Sequence, residues 1–480
     1  MKKIDYLILA TVGAYSYLFY QQSPGINHLI FTVILLLVLL ITESRRVRAL
    51  PWLTVALGAL ASGFNITLQH TNLALAANII SLVALAGLSF QPKSSLLIAG
   101  INGLYSFGVS LAQNWYYRLA LPSSGKHRTR FRWRPLVSVV IPILVTMLFL
   151  WLYRMSSPVF ENLVSKISFQ FISWDWIGFT AVGWVVIFGF IQQKGLSTLV
   201  TADQQASDGL MRKRNKVKRS KPNLSLKYEF KTGLLLLLLL NLLLFAFNSI
   251  DAISLFTKRL PAHLTYSQYV HQGIITLIVS IVLAVIIILY FFRGNLNFFS
   301  GNRRLLWLAY FWILQNLLLV YTTAYKNFLY ISEYGLTHKR IGVYVYLSLT
   351  FFGLLTTFIK VFATKSNWFL FRKNAWLFYL AMIVCTFFNW DRIITEYNLS
   401  KSKRTDIDYL IGLSTSNLLH LHKLSVEHPE KLTYTQQHAI NYELDQFKLK
   451  TLNRNWQSWN YREHQLRDSL FTQSENKIIQ

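Results

Sequence analysis

Charge is scarce in this chain, and the groups able to do chemistry gather around two short stretches. Lys326 and Glu333 precede an interruption at Tyr334-Gly335-Leu336-Thr337, and His338, Lys339 and Arg340 follow it. Asp391 and Arg392 close the last long apolar run, and Asp406 and Asp408 open a polar tail. Two kinds of chemistry fit. Lysine and arginine can fork onto phosphate, so Lys326, Glu333, Arg340, Asp391, Arg392, Asp406 and Asp408 form a candidate outer-face cluster for an anionic head group or a lipid-linked phosphate. The same charges can instead pair among themselves and fasten the tail to what precedes it. Arg340 sharpens the choice. It stands in the first turn of a helix, where the macrodipole disfavours a cation, so it needs a partner. Asp391 is the expected partner, with Glu333 as the alternative.

Known catalytic signatures are missing. The chain has no Gly-rich phosphate loop, no G-x-S-x-G elbow and no H-E-x-x-H. Its one cysteine, Cys385, lies inside an apolar run, so neither an internal disulfide nor a thiolate metal site can be built. His420 and His422 are two residues apart and point to different faces of a helix; His428 and His438 flank a loop and could approach. No catalytic residue, metal or cofactor is expected on these grounds.

The elements that must position these charges follow from the interruption. Glycine ends a helix in the left-handed conformation without a Cβ penalty, so Gly335 reads as a helix end. Thr337 then reads as the cap of a new helix whose body, Ile341 to Ile359, is long and apolar enough to cross a bilayer. The stretch 321–341 is therefore an elbow carrying charges at the mouth of a membrane span.

Composition supports that setting. The chain is 53% hydrophobic and 14% charged, and its 48 Lys+Arg against 20 Asp+Glu give a formal charge of +28. The basic residues sit in clusters between apolar runs, as cytoplasmic loops of polytopic proteins do, which argues against nucleic acid as the partner. The expected partner is the bilayer itself, including anionic lipid head groups.

Apolar segments fall near 5–21, 26–42, 50–67, 72–90, 94–113, 136–153, 176–193, 232–249, 270–292, 304–323, 341–360 and 374–390. The fold class expected is all-α: a polytopic transmembrane bundle of about 11–12 spans over 1–390, with a polybasic cytoplasmic loop at 194–231. Counting basic residues in the loops leaves 94–113, with Asn102, Gly103, Gly108, Gln113 and Asn114, as the weakest span, lying flat or re-entering. Eleven crossings result, and the tail is extracytoplasmic. Asn78, Asn102, Asn241, Gln315 and Asn316 read as amides bonding between helices, Gln315 and Asn316 also as lining for a substrate path.

Residues 391–480 read as a helical hairpin. The first helix is capped at Thr405 or Asp406 and ended by Pro429; the second starts from the capping box Thr433-Tyr434-Thr435-Gln436 and runs to about Phe471. Trp456, Trp459 and Tyr461 are candidate anchors on the outer mouth of the bundle.

Residues 325–347 (YKNFLYISEYGLTHKRIGVYVYL), then NWDRIITEYNL and DIDYLIGLS, resemble the bacterial polytopic membrane proteins of domain-of-unknown-function family 4173 and its relative, family 4153. The resemblance rests on a Y-G-L-T elbow followed by arginine and a D-x-x-Y-L helix, matched here by Tyr334, Gly335, Leu336, Thr337 and Arg340, then Asn398, either Asp408, directly before the tyrosine, or Asp406, three residues ahead of it, and Tyr409 and Leu410. It covers the C-terminal third, with only hydropathy matching before residue 230. It implies an inner-membrane architecture and no reaction. The leading reading is a non-enzymatic envelope scaffold or sensor whose outer-face tail binds a partner, such as another envelope protein. An outer-face enzyme on a lipid-linked sugar or phosphate is the alternative, and a transporter the third.

Overall fold

The computed structural model describes residues 3–43, 46–120, 173–212, 224–257, 266–299, 301–403, 405–452 and 454–478, with scattered positions between 142 and 156. The apolar segment 136–153, the basic loop Lys126–Arg134 and most of Met211–Lys221 lie outside the described residues. Eleven apolar segments lie within them, and each forms a helix. In chain order these are α1 (Lys3–Phe19), α2 (Ile26–Thr42), α3 (Leu50–Gln69), α4 (Asn72–Phe90), α5 (Leu96–Ala120) and α6 (Trp174–Ile191). After the short α7 (Ser197–Gln205) come α8 (Leu224–Thr257), α9 (Tyr266–Phe291), α10 (Arg303–Tyr334), α11 (His338–Phe362) and α12 (Asn367–Cys385).

The protein is an all-α polytopic bundle. Among the described residues seven of these helices are long and apolar enough to cross a membrane, or eight if α12 and the helix after it, bent by 63°, count as one. Part of the lower number has a simple cause. α1 and α2 are 17 residues each, about 25 Å at the helical rise, short of the roughly 30 Å hydrocarbon core.

Two apolar cores divide the bundle. One joins α1 to α6 with Tyr379 and Ile383 of α12; the other joins α8 to α11. Polar side chains tie helices within each. Asn78 Nδ2 donates to the Ala59 carbonyl at 2.9 Å, and Gln315 Nε2 donates to Asn241 Oδ1 at 2.7 Å, bonding α8 to α10. Each such bond contributes about 0.6–2 kcal/mol in a bilayer. Asn316 bonds back to Trp312 of its own helix.

The segment expected to lie flat or re-enter is one unbroken helix, α5, packed on α4 and α6. The two asparagines that made it look weak bind protein groups. Asn102 Oδ1 accepts from the Leu196 amide at 2.8 Å, and Asn114 donates to Gln192 at 3.1 Å.

One end of the bundle carries basic loops. There Arg46 donates to the Ser89 carbonyl, Lys360 to the Phe292 carbonyl, and Arg372 grips Asp203 and Asp208. The opposite end carries the tail: α13 (Trp390–Lys401), α14 (Ile407–Ile411), α15 (Leu418–Glu427), α16 (Tyr434–Leu452) and α17 (Tyr461–Ile478). The hairpin is α15 and α16, joined through Pro429–Lys431, and the capping box forms: Gln436 N meets Thr433 Oγ1 while Gln436 Oε1 accepts from Thr433 N. The second helix stops at Leu452, not near Phe471. A 3₁₀ turn at Trp456–Ser458 intervenes, and Asn460 caps α17 by accepting from the Glu463 amide. That turn docks the tail: the Trp459 carbonyl accepts from Ile26 N at 3.0 Å, and Asn460 donates to the Ile66 carbonyl at 2.8 Å. Gly25 permits the approach, since a Cβ there would stand 2.6 Å from the Ser458 carbonyl carbon.

Candidate functional site

Gly335 ends α10 with φ +80°, the left-handed half of conformational space where a side chain is strained. Its neighbour is held from the tail. Asn398 accepts from the Leu336 amide at 2.5 Å and donates to the Leu336 carbonyl at 2.9 Å, so one buried amide reads the elbow backbone from α13. Thr337 then caps α11, its hydroxyl accepting from the Arg340 amide at 3.4 Å.

Arg340 is not paired with Asp391 or Glu333. Its guanidinium turns back over the elbow, donating to the Tyr334 carbonyl at 2.8 Å and to the Gly335 carbonyl, and lies 4.0 Å over the Tyr330 ring. The reason is local. The last carbonyls of α10 lack helical partners and carry the negative end of that helix dipole, so they satisfy the cation that the start of α11 disfavours. Asp391 is taken by His338, Nε2 to Oδ1 at 2.5 Å, and its other oxygen accepts from Ser414 N at 3.2 Å. Glu333 pairs with Lys403 at 2.9 Å.

The other expected residues separate. Lys326 points into the bundle and pairs with Asp251 on α8, both side chains nearly buried. Asp406 caps α14 through the Tyr409 amide, and Asp408 accepts from Gln436 at 3.0 Å. Arg392 pairs with Glu396 at 2.6 Å, and His420 approaches the same carboxylate at 3.3 Å. Only Asp391 and Arg392 of the seven line the cavity described next. Asp251 escaped the sequence reading because the apolar window at 232–249 stops short of the helix, which continues to Thr257.

Between the α3–α4 turn and the tail lies a cleft of about 810 Å³. Gln69 to Leu73 form one wall, and α13, α15, α16 and α17, with His338 of α11 and the turn at Ser414–Ser416, supply the rest. Its cations are Arg392, Lys423, Lys450 and Arg462, joined by His70, His338 and His420; its carboxylates are Asp391 and Glu463. Both carboxylates are occupied, Asp391 by His338 and Glu463 by Arg454. Arg392 shares Glu396. Among the described residues Lys423, Lys450 and Arg462 have no ion-pair partner.

That imbalance acts on the titrating groups. Burial, then the charge of Arg392, hold Arg462 below the ordinary arginine range, although Glu396 opposes them. Burial, then Arg454 and Lys450, push His70 below the ordinary histidine value. Burial lowers His420 as well, although Glu396 opposes it. Burial is the largest cause in each case, and His338 on the same lining is instead raised by its bond to Asp391, so it is the excess of cations over carboxylates on the lining that favours an anion. Sequence reasoning missed the cleft because its walls, His70 and Arg462 for instance, stand at opposite ends of the chain.

Among the described residues no three histidine, cysteine, aspartate or glutamate side chains group as a metal site. The match to the domain of unknown function DUF4153 runs over residues 7–424, far beyond the C-terminal third that carried the resemblance. It ends before α16 and α17, so Lys450 and Arg462 lie outside it while Arg392 and Lys423 lie within. No curated protein and no solved structure matches the chain. With most of its length covered, bundle and elbow included, the chain belongs to the DUF4153 family of domains of unknown function.

Proposed function

We propose that this integral membrane protein is a non-enzymatic scaffold or sensor of the bacterial envelope, whose tail and bundle end together bind an anionic ligand or the acidic part of a partner. One observation carries the reading: among the described residues three cations without ion-pair partners, Lys423, Lys450 and Arg462, line a large cleft that the tail roofs. Lys423 and Lys450 are exposed and Arg462 is half-buried, so their summed positive potential is open to an anion arriving from solution. The tail side is extracytoplasmic in this reading, because Arg46, Lys93, Lys194, Lys365 and Lys373 crowd the other end, as the positive-inside bias requires. The inner membrane and the kinship with family 4173 through the Tyr334–Thr337 elbow belong to the same proposal.

Calorimetric titration of the detergent-purified chain with a panel of anions tests it. At least one polyvalent anion should bind in preference to chloride, and the binding should weaken as salt rises. Failure of every anion to release or absorb heat would contradict the reading.

A further inference from the structure

The charge arrangement in the cleft goes further than a general preference for anions. Arg392 is shared with Glu396, and His338 and Arg454 answer Asp391 and Glu463, which leaves Lys423, Lys450 and Arg462 as the lining cations with no ion-pair partner among the described residues, Arg462 being offset only at longer range by Glu396. A carboxylate carries one negative charge and would leave two of the three unanswered. A phosphomonoester carries about −1.5 to −2 near neutral pH and offers three acceptor oxygens, and a diphosphate carries more. The three cations also come from three helices, α15, α16 and α17, so they surround the space instead of lining one stripe. Arg462 supplies a planar fork suited to two phosphate oxygens, and the two lysines supply point charges. The serine hydroxyls on the same walls are already engaged, Ser469 with the Leu466 carbonyl and Ser414 and Ser416 with each other, so recognition falls to the cations.

We infer that the cleft is a phosphate site, taking a phosphomonoester or diphosphate group held by Arg462, Lys423 and Lys450. A soluble molecule and the head of a membrane lipid both present such a group, and the chemistry recognised is the same. This inference rests on the anion-binding reading above.

The test uses the full chain. Thermal unfolding in detergent is followed with inorganic phosphate, pyrophosphate, acetate and citrate at matched ionic strength. In parallel, the chain is placed in phosphatidylcholine nanodiscs with and without phosphatidic acid. Pyrophosphate should raise the unfolding midpoint and acetate should leave it unchanged. Lys423→Gln and Lys450→Gln alter exposed side chains and should fold as the parent does, each binding pyrophosphate about tenfold more weakly. Arg462→Gln should lose more, with Arg462→Lys recovering only part. Stabilisation by phosphatidic acid but not by free phosphate or pyrophosphate supports the site and names a lipid source; the reverse supports it and names a soluble one. Citrate stabilising as well as pyrophosphate would overturn the phosphate assignment and leave the anion cleft standing. Pyrophosphate binding that none of the three substitutions weakens would overturn the cleft as its location. Binding of no anion, free or lipid-borne, would overturn both readings.

Discussion

Arg340 shows how a charge can be wrong for one helix and right for its neighbour. At the start of α11 it opposes that dipole, yet it reaches the carbonyls ending α10 and the face of Tyr330. Arg340→Gln should therefore cost stability without coupling to Asp391, and a double-mutant cycle with Asp391→Asn should be additive within about 0.5 kcal/mol. The same cycle with Tyr330→Leu should show coupling; equal coupling to Asp391 would reverse the assignment. Gly335→Val meets both a positive φ and Asn398 Oδ1, 2.6 Å from where a Cβ would stand, so a loss above about 1 kcal/mol is expected by thermal unfolding. His70 and His420 add a pH dependence. Their folded pKa values lie below the ordinary 6.5, so below that value the unfolded chain binds more protons than the folded one. His338, raised by its bond to Asp391, acts in the opposite sense, so the comparison is with a His70→Gln, His420→Gln variant. The parent should lose more stability than that variant as pH drops from 7.5 through 6.5 and below, and an anion in the cleft should shrink the difference. Equal losses in the two proteins would contradict the lowered histidines.

At the scale of elements, what could be read in advance was whatever a single helix decides for itself. Gly335 announces its helix end and Thr337 its cap because both act on backbone within a few residues. The capping box at Thr433–Gln436 is legible for the same reason. The apolar runs gave the helices, since any long uncharged run must be buried or in lipid. The partners of Asp391, Arg340 and Lys326 were not legible. Lys326 meets Asp251 where α8 and α10 come together, Asp391 meets His338 because α13 lies beside the start of α11, and Arg340 follows the path of the elbow itself; charge type alone leaves several pairings open. The docking turn itself is testable. Gly25→Val would push against the Ser458 and Trp459 backbone, so it should expose α16 and α17 to limited proteolysis while α10 and α11 stay protected. A tail that remains resistant would mean the contact at Ile26 and Trp459 does not hold it.

The molecule as a whole is two packed helical groups with polar structure at both ends, and the ends are not equivalent. One bears basic loops knitted by Arg372 to Asp203 and Asp208; the other bears the tail and the cleft. A reporter fused after Gln480 should be active only in an extracytoplasmic compartment, and cytoplasmic activity would move the cleft to the other side of the membrane. The central claim is that a ligand joins the tail to the bundle end inside that cleft. Hydrogen exchange of the purified chain with and without pyrophosphate addresses it most directly, because exchange reports both walls in one measurement. Slower exchange is expected at Gln69–Leu73 and in α15, α16 and α17 together, with no change around Asp203 and Arg372. Protection confined to the basic-loop end, or no change on either wall, would contradict the account.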